Sequence, residues 1–451
     1  MAIPAAVDTL LREHNIQYAV EALPPHALLP TDAARAALMS DGQHKLHVLY
    51  PAHSLLDVNA LRRMTGLQLS ALSSEHVEQL CAHRHFSQLP ALPGAMGIPT
   101  IVDRRLLAGD SVALISGEDT DLLHLSTEQF RQSLQDVMLG DFSIGLDTLR
   151  QGSLDTLEDV EQINQAVAGF TQLRIRHRLE ETLEIPPLPD TAARILKLRV
   201  DPNADVRHLT TLVETDPPLA AQVISWATSP YYGYTGKVKS VHDAIVRVLG
   251  FDVVLNLALG LALGKSLSLP KDAPRGFTSY WHQAVFCATA VEALAGCIPA
   301  KLRPEVGIAY LAGLLHNFGY LVMAEVFPPH FSSYCRYQEA NPHASYAPIE
   351  RHLLGVTRDQ MAGWLLGLWS MPEEVAHAVR FQDEADYTGP DAEYANLIFV
   401  AMRLLRRFGI GNAPLESIPE EMFERLQLDP ERALMSVRHV VDASEEIISR
   451  L

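Results

Sequence analysis

Cysteine is scarce: four in 451 residues, at Cys81, Cys287, Cys297 and Cys335, far apart and with no CxxC pair. Such spacing excludes a disulfide framework and a cysteine zinc clip, and it suits reduced thiols in a cytoplasmic protein. Positive charge is short as well, with 36 Lys and Arg against 54 Asp and Glu and a net charge of −18. Broad nucleic-acid binding needs basic surface to release counterions, so that class is disfavoured. Long apolar runs are missing. The greasiest, VVLNLALGLALG at Val253–Gly264, contains Asn256 and is too short for a bilayer, so it predicts a buried helix and no membrane partner. The first thirty residues hold acids and prolines but no apolar core of a signal peptide. Repeats and low-complexity tracts are also absent.

What is present is a hydrophobic content of 48%, enough for a large core in two or three domains. Residues 1–138 predict an α/β domain. HKLHVLYP (His44–Pro51), GIPTIVDRRL (Gly97–Leu106) and SVALISG (Ser111–Gly117) read as strands bounded by Gly, Pro or Asp, while AAVDTLLREHNI and DVNALRRMTG read as amphipathic helices. Residues 139–184, with the breaker-poor run Leu154–Leu183, predict a helical linker. Pro186, Pro187 and Pro189 then break it. From Asp190 onward apolar residues recur every three or four positions, which predicts an all-α domain over 185–390 and a helical extension over 391–451. Asp216 ahead of Pro217 is a helix start and Gly250 a helix stop. A fragment beginning near Arg174 is expected to fold alone.

Within the helical region, EIPPLPDTAARILKLRVDPNADVRHLTTLVETDPPLAAQVISWATSPYYG, VKSVHDAIVRVLG, YWHQAVFCATA, AYLAGLLHNFG, ERHLLG and LLGLWSMPEEVAHAV follow in an order that resembles the HDOD domain. That domain is a bacterial relative of the HD phosphohydrolases, and the resemblance spans Ile185 to Asp386. One departure is Thr228, where the family usually has Asn. The resemblance implies an HD-like helical bundle. In active relatives several His and Asp side chains converge on metal ions that activate water. Here His282 and His316 stand where two of those histidines are expected, but Asn317 replaces the aspartate partner, Arg358 a further histidine, and Phe381 and Gln382 a final His-His pair. A neutral amide is a weak metal ligand and a guanidinium none at all. The expectation is a degenerate site with no metal, and His316 in the interior of one buried helix with Leu314, Leu315, Phe318 and Leu321 in the core.

The first domain carries a second resemblance. LLREHNIQYAV, TDAARAAL, HKLHVLYP, LRRMTGLQLSALSSEHVEQL and LPALPGAMGIPTIVDRRLLAGDSVALISG follow the order of the YbaK/prolyl-tRNA-synthetase-associated domain, many members of which deacylate mischarged tRNA. The resemblance places Lys45 where active members carry a lysine. Strand alternation puts Lys45, His47 and Leu49 on one face. Backbone N–H groups of the loop Pro93, Gly94 to Gly97 could then face a substrate oxygen. Two features depart from the pattern: KL replaces the usual KT, and the loop LPGAMG has little polar content. Residues 1–140 carry nine Lys and Arg against fifteen Asp and Glu, acidic for a tRNA-acceptor surface.

Together these features predict a non-catalytic bacterial signalling protein. A metal-less HDOD domain would act as scaffold or sensor for a signalling protein or small ligand, and the YbaK-like domain as ligand-binding module. The alternative is an aminoacyl-tRNA deacylase regulated by the HDOD domain, with Lys45, His47, Pro93, Gly94 and Gly97 around the aminoacyl end. No cofactor is expected, and a homodimer is one assembly compatible with the sequence.

Overall fold

The computed structural model describes residues 3–448 apart from 24–28, 119–120, 136, 151–153, 176–187, 229–231, 266, 268, 412 and 414–416. Pro186 and Pro187, and the end of the expected linker, lie outside the described residues. The chain forms two compact units. The first takes Met1–Gly152 together with Asp272–Gly276 and Ser332–Leu353. The second takes Ser153–Lys271, Phe277–Phe331 and Leu354–Leu451.

The first unit is α/β, with a mixed eight-stranded sheet. In spatial order its strands are Ala19–Ala22, Asp121–Ser126, Ser111–Ile115, Ala33–Ser40, Lys45–Pro51, Thr100–Asp103 and Met138–Gly140, with Ser70–Ala71 added beside Ala33–Ser40. The central hairpin is antiparallel, setting Ser40 opposite Lys45 and Leu38 opposite His47. Thr100–Asp103 then runs parallel to Lys45–Pro51, with His47 opposite Thr100. Leu38, Leu49, Val102, Leu114, Leu123 and Phe130 fill the core. The helix Val58–Thr65 begins at Asp57, whose carboxylate accepts the Ala60 N–H at 2.9 Å. It ends at Gly66, whose φ of 71° is one that a side chain resists.

A segment distant in sequence completes this unit. The Asn341 side chain treats Leu56 as a neighbouring strand would, accepting its N–H at 2.7 Å and donating to its carbonyl at 3.1 Å. The Tyr337 hydroxyl donates to Asp57 and accepts the Asn59 N–H at 3.0 Å, and the His343 ring meets the Ser54 carbonyl at 3.0 Å. His352 lies 3.6 Å from the other Asp57 oxygen. Tyr337 and Asn341 are buried, so their partners have no water to turn to.

The second unit is helical. Asp216 caps Pro217–Ala227 by accepting the Leu219 N–H at 3.1 Å, and Gly250, φ 85°, closes the preceding turns. Phe251–Gly264 is the buried helix expected from its composition. At its centre Tyr280–Cys297 packs so closely on Val306–Leu315 that a Cβ on Gly313 would lie 2.8 Å from the Ala288 Cα. Among the described residues only Val306–Val326 is a helical stretch long and apolar enough to cross a membrane, and 89% of that apolar window is buried.

The described residues of the stretch 139–184 are not one helix. Met138–Gly140 and Ser143–Gly145 are strands of the first unit, whereas Thr156–Ile175 packs in the second. The helix is held there by charge. Buried Asp159 pairs with buried Arg380 through Nε and through Nη2, the latter at 2.8 Å, and accepts from Gln360 at 2.6 Å.

Two outcomes follow. A fragment beginning at Arg174 lacks both Asp159 and the whole sheet that residues 332–353 complete, so it is expected to aggregate or melt well below the full chain in a thermal scan. In the full chain, Asp159→Asn strands a buried guanidinium and is expected to cost about 3–5 kcal/mol in urea unfolding.

Candidate functional site

In the second unit, the apolar helix that begins at Val306 ends at Leu315 and a new one begins at Phe318, so His316 and Asn317 form a break between them. This differs from the continuous helix expected there. Asn317 has φ −100° and ψ 14°, outside the helical basin, and the backbone bonds across the break tighten to the third neighbour: His316 N to Gly313 O and Tyr320 N to Asn317 O. Leu314, Leu315, Phe318 and Leu321 are buried as expected.

Polar side chains take up the backbone groups that the break leaves over. The His316 Nδ1 donates to the Gly313 carbonyl at 2.8 Å. Asn317 Nδ2 donates to Tyr280 O at 3.1 Å, tying the break to the helix that carries His282. Gln382 Nε2 donates to His316 O at 2.6 Å and to the Asp359 carboxylate at 2.8 Å. A carbonyl only accepts, so the His316 Nδ1 must carry the proton and its Nε2 keeps a lone pair. That Nε2 and the Asn317 Oδ1 are buried and find no protein donor among the described residues.

Arg358 enters from the first turn of Arg358–Leu368. Its guanidinium carbon lies 5.9 Å from the centroid of the Tyr320 ring. Gly319 makes the approach possible, since a Cβ there would stand 2.1 Å from the Arg358 carbonyl oxygen. Burial, opposed by the bond to Gly313 and aided by the Arg358 charge, lowers the His316 pKa to about 4.

His316, Asn317, Arg358 and Gln382 are therefore brought together. Phe381 is not: its ring stacks on Tyr387 at 4.0 Å and lies 4.7 Å from the Arg380 guanidinium carbon. His282 stands half-buried at the start of its helix, its pKa lowered by burial. The resemblance implies divalent ions at this place, and these residues do not fit them. Among the described residues no three His, Cys, Asp or Glu side chains come together to hold a metal. The groups that do converge are one imidazole, two amides, the cation Arg358 and the single carboxylate of Asp359.

The first unit holds the other candidate residues. Lys45 opens its strand and is exposed. His47, on the same face, is fully buried, with Nε2 bonded to the Pro90 carbonyl at 3.0 Å and its own N–H to Pro99 O at 2.9 Å. It pins both ends of the segment that carries the Pro93–Gly97 loop. Burial holds the His47 pKa at about 4. Pro93 is buried, while Gly94 and Gly97 are exposed with φ of 80° and 58°. The loop spends two of its N–H groups on its own turns, Ala95 N to Leu92 O and Gly97 N to Gly94 O. Arg84 lies across it, 2.6 Å from where a Cβ on Gly97 would be.

The sequence reading did not single out the buried Asp57–Tyr337–Asn341 group or the Asp159–Arg380 pair. Asp57 could have been noticed as a helix start, but its partners lie some 280 residues away.

Three histidines whose pKa values the fold lowers give the stability a definite pH dependence. His47 and His316 titrate at about 4 and His343 at about 3 in the fold, against about 6.5 when unfolded. The unfolded chain therefore binds more protons between those values. The stabilisation is complete above pH 6.5 and is lost as pH falls toward 4, on the order of 3 kcal/mol per ring. Urea midpoints between pH 7.5 and 4.5 should fall accordingly, and His316→Gln should make the fall shallower.

Comparison with known proteins places these units in a wider group. The HDOD domain model matches residues 185–385. A crystal structure from Marinobacter aquaeolei VT8, described as a candidate signal transduction protein, is 41% identical and superposes with a TM-score of 0.90, covering 100% of this chain and 99% of that one. An uncharacterized protein of Treponema pallidum (strain Nichols) is 24% identical over 270 residues; those residues are 58% of this chain and 50% of that protein, so the match spans about half its length. A protein described as a candidate trans-editing enzyme for prolyl tRNA synthetase is similar over 32% of this chain and all of its own, with 15% identity and a TM-score of 0.27. From the match over 185–385, the break it contains and the full-length likeness to the Marinobacter protein, the chain belongs to the HDOD family.

Proposed function

We propose that this chain is a non-catalytic regulatory protein of bacterial signalling, in which the HDOD region is a scaffold or sensor and the YbaK-like unit a ligand-binding module. The observation that carries this reading is the make-up of the helix break. Where hydrolytic relatives gather carboxylates and imidazoles around metal, this chain gathers His316, Asn317, Gln382 and the cation Arg358, and most of their hydrogen bonds go to its own backbone. Such a site does not gather the ligands of a metal-activated water, and its one carboxylate, Asp359, is engaged by Gln382. The description of the Marinobacter protein agrees with a signalling role. The first unit fits binding better than turnover. Lys45 stands exposed at the end of its strand, and the loop has committed two N–H groups that an oxyanion would need.

The test is release of amino acid from tRNAs charged with alanine, serine or cysteine on non-cognate acceptors, run beside hydrolysis of phosphodiester substrates with added Mn²⁺. Both are expected at background. Deacylation clearly above background and lost in Lys45→Ala would replace this reading with that of a regulated deacylase. Metal-dependent phosphodiester cleavage lost in His316→Ala would replace it with that of a phosphohydrolase.

A further inference from the structure

The two polar atoms left over at the helix break are of one kind. His316 Nδ1 and Asn317 Nδ2 are spent on carbonyls, so what remains is a lone pair on Nε2 and a lone pair on Oδ1. Both side chains are more than nine-tenths buried. Buried acceptors without donors are costly next to apolar or anionic neighbours and favourable next to a positive charge. A neutral imidazole whose second nitrogen is anchored on a backbone carbonyl is also the form in which histidine faces a metal. The pocket is thus built for a cation, yet its residues cannot hold a divalent one.

The chain itself supplies a cation there. Arg358 is 3% exposed and sits on the first turn of Arg358–Leu368, against Gly319 and Tyr320. The tight passage over Gly319 fixes the start of that helix at the break. Gln382 ties the same two elements together by bridging His316 O to the carboxylate of Asp359, the residue next to Arg358. We propose that Arg358 is a built-in cation that takes over the electrostatic role of a bound metal ion, holding the broken helix, Arg358–Leu368 and the end of Glu373–Phe381 together by its charge.

The arrangement differs from a metal site in one respect that matters for regulation: the charge cannot dissociate. Ion availability would then have no influence on this region. Any signal it carries must come through conformation or through a ligand elsewhere. The proposal rests on the reading of this site as one that takes no divalent ion, but it fails separately. Metal content tests that reading, and the role of the charge is tested by substitution.

The experiment compares Arg358→Lys, which keeps the charge, with Arg358→Met, which keeps much of the volume, in the full chain. Thermal midpoints and the NMR titration of His316 are read in both. Arg358→Met is expected to lower the midpoint by roughly 5 °C or more, and Arg358→Lys to recover at least half of that loss. The His316 titration should move upward in Arg358→Met and stay near its wild-type position in Arg358→Lys, which disturbs the same packing but keeps the charge. Failure of the Met variant to fold while the Lys variant folds supports the proposal equally. It is overturned if the Met variant is as stable as the Lys variant, if His316 titrates alike in both, or if neither variant folds, since guanidinium shape and not charge would then be required.

Discussion

A helix that breaks inside a core exposes backbone groups where water cannot reach them, and this constraint governs the second unit. The break at His316 and Asn317 lies between apolar residues that are themselves buried. Its carbonyls and amides therefore have to be met by side chains. His316 meets Gly313, Gln382 meets His316 and Asn317 meets Tyr280, which draws three separate stretches of chain to one point. In a hydrolase such a point would serve a metal. Here each side chain serves the backbone first.

The same economy appears in the first unit, by different chemistry. Leu56 and Ser54 belong to a three-residue strand that pairs along one side with Ser143–Gly145. Asn341 and His343 take up Leu56 and Ser54 backbone groups from a segment almost 300 residues later. A sheet edge left bare is a liability for aggregation, and covering it is one of the few remedies. Residues 332–353 fall inside the stretch that matches the HDOD domain, yet they fold with the α/β unit. A family match along the sequence and a compact unit in space are two different divisions of this chain.

Much of the fold could be read from the sequence because its signals are local. Asp216, Gly250 and Gly66 mark helix ends by chemistry that needs only a few neighbours. The strands at Lys45 and Ser111 announce themselves through β-branched and aliphatic alternation. Ala33–Ser40 does not. Its alanines favour a helix when isolated, and only pairing on both sides makes it a central strand. The candidate site was legible to the same degree. His316, Asn317, Arg358 and Gln382 could be named from the resemblance and do meet, but Phe381 turns to Tyr387, a contact that depends on the stretch after its helix. The break itself was hidden, because leucines on both sides of it continue the helical pattern.

At the helix break the proposed cation is the chain's own Arg358, and no three His, Cys, Asp or Glu side chains among the described residues gather to hold a divalent ion. Elemental analysis of the full-length protein, purified without chelator, tests it most directly. Mn, Fe and Zn are expected far below one per chain in the wild type. A content near one per chain that disappears in His316→Ala would contradict it.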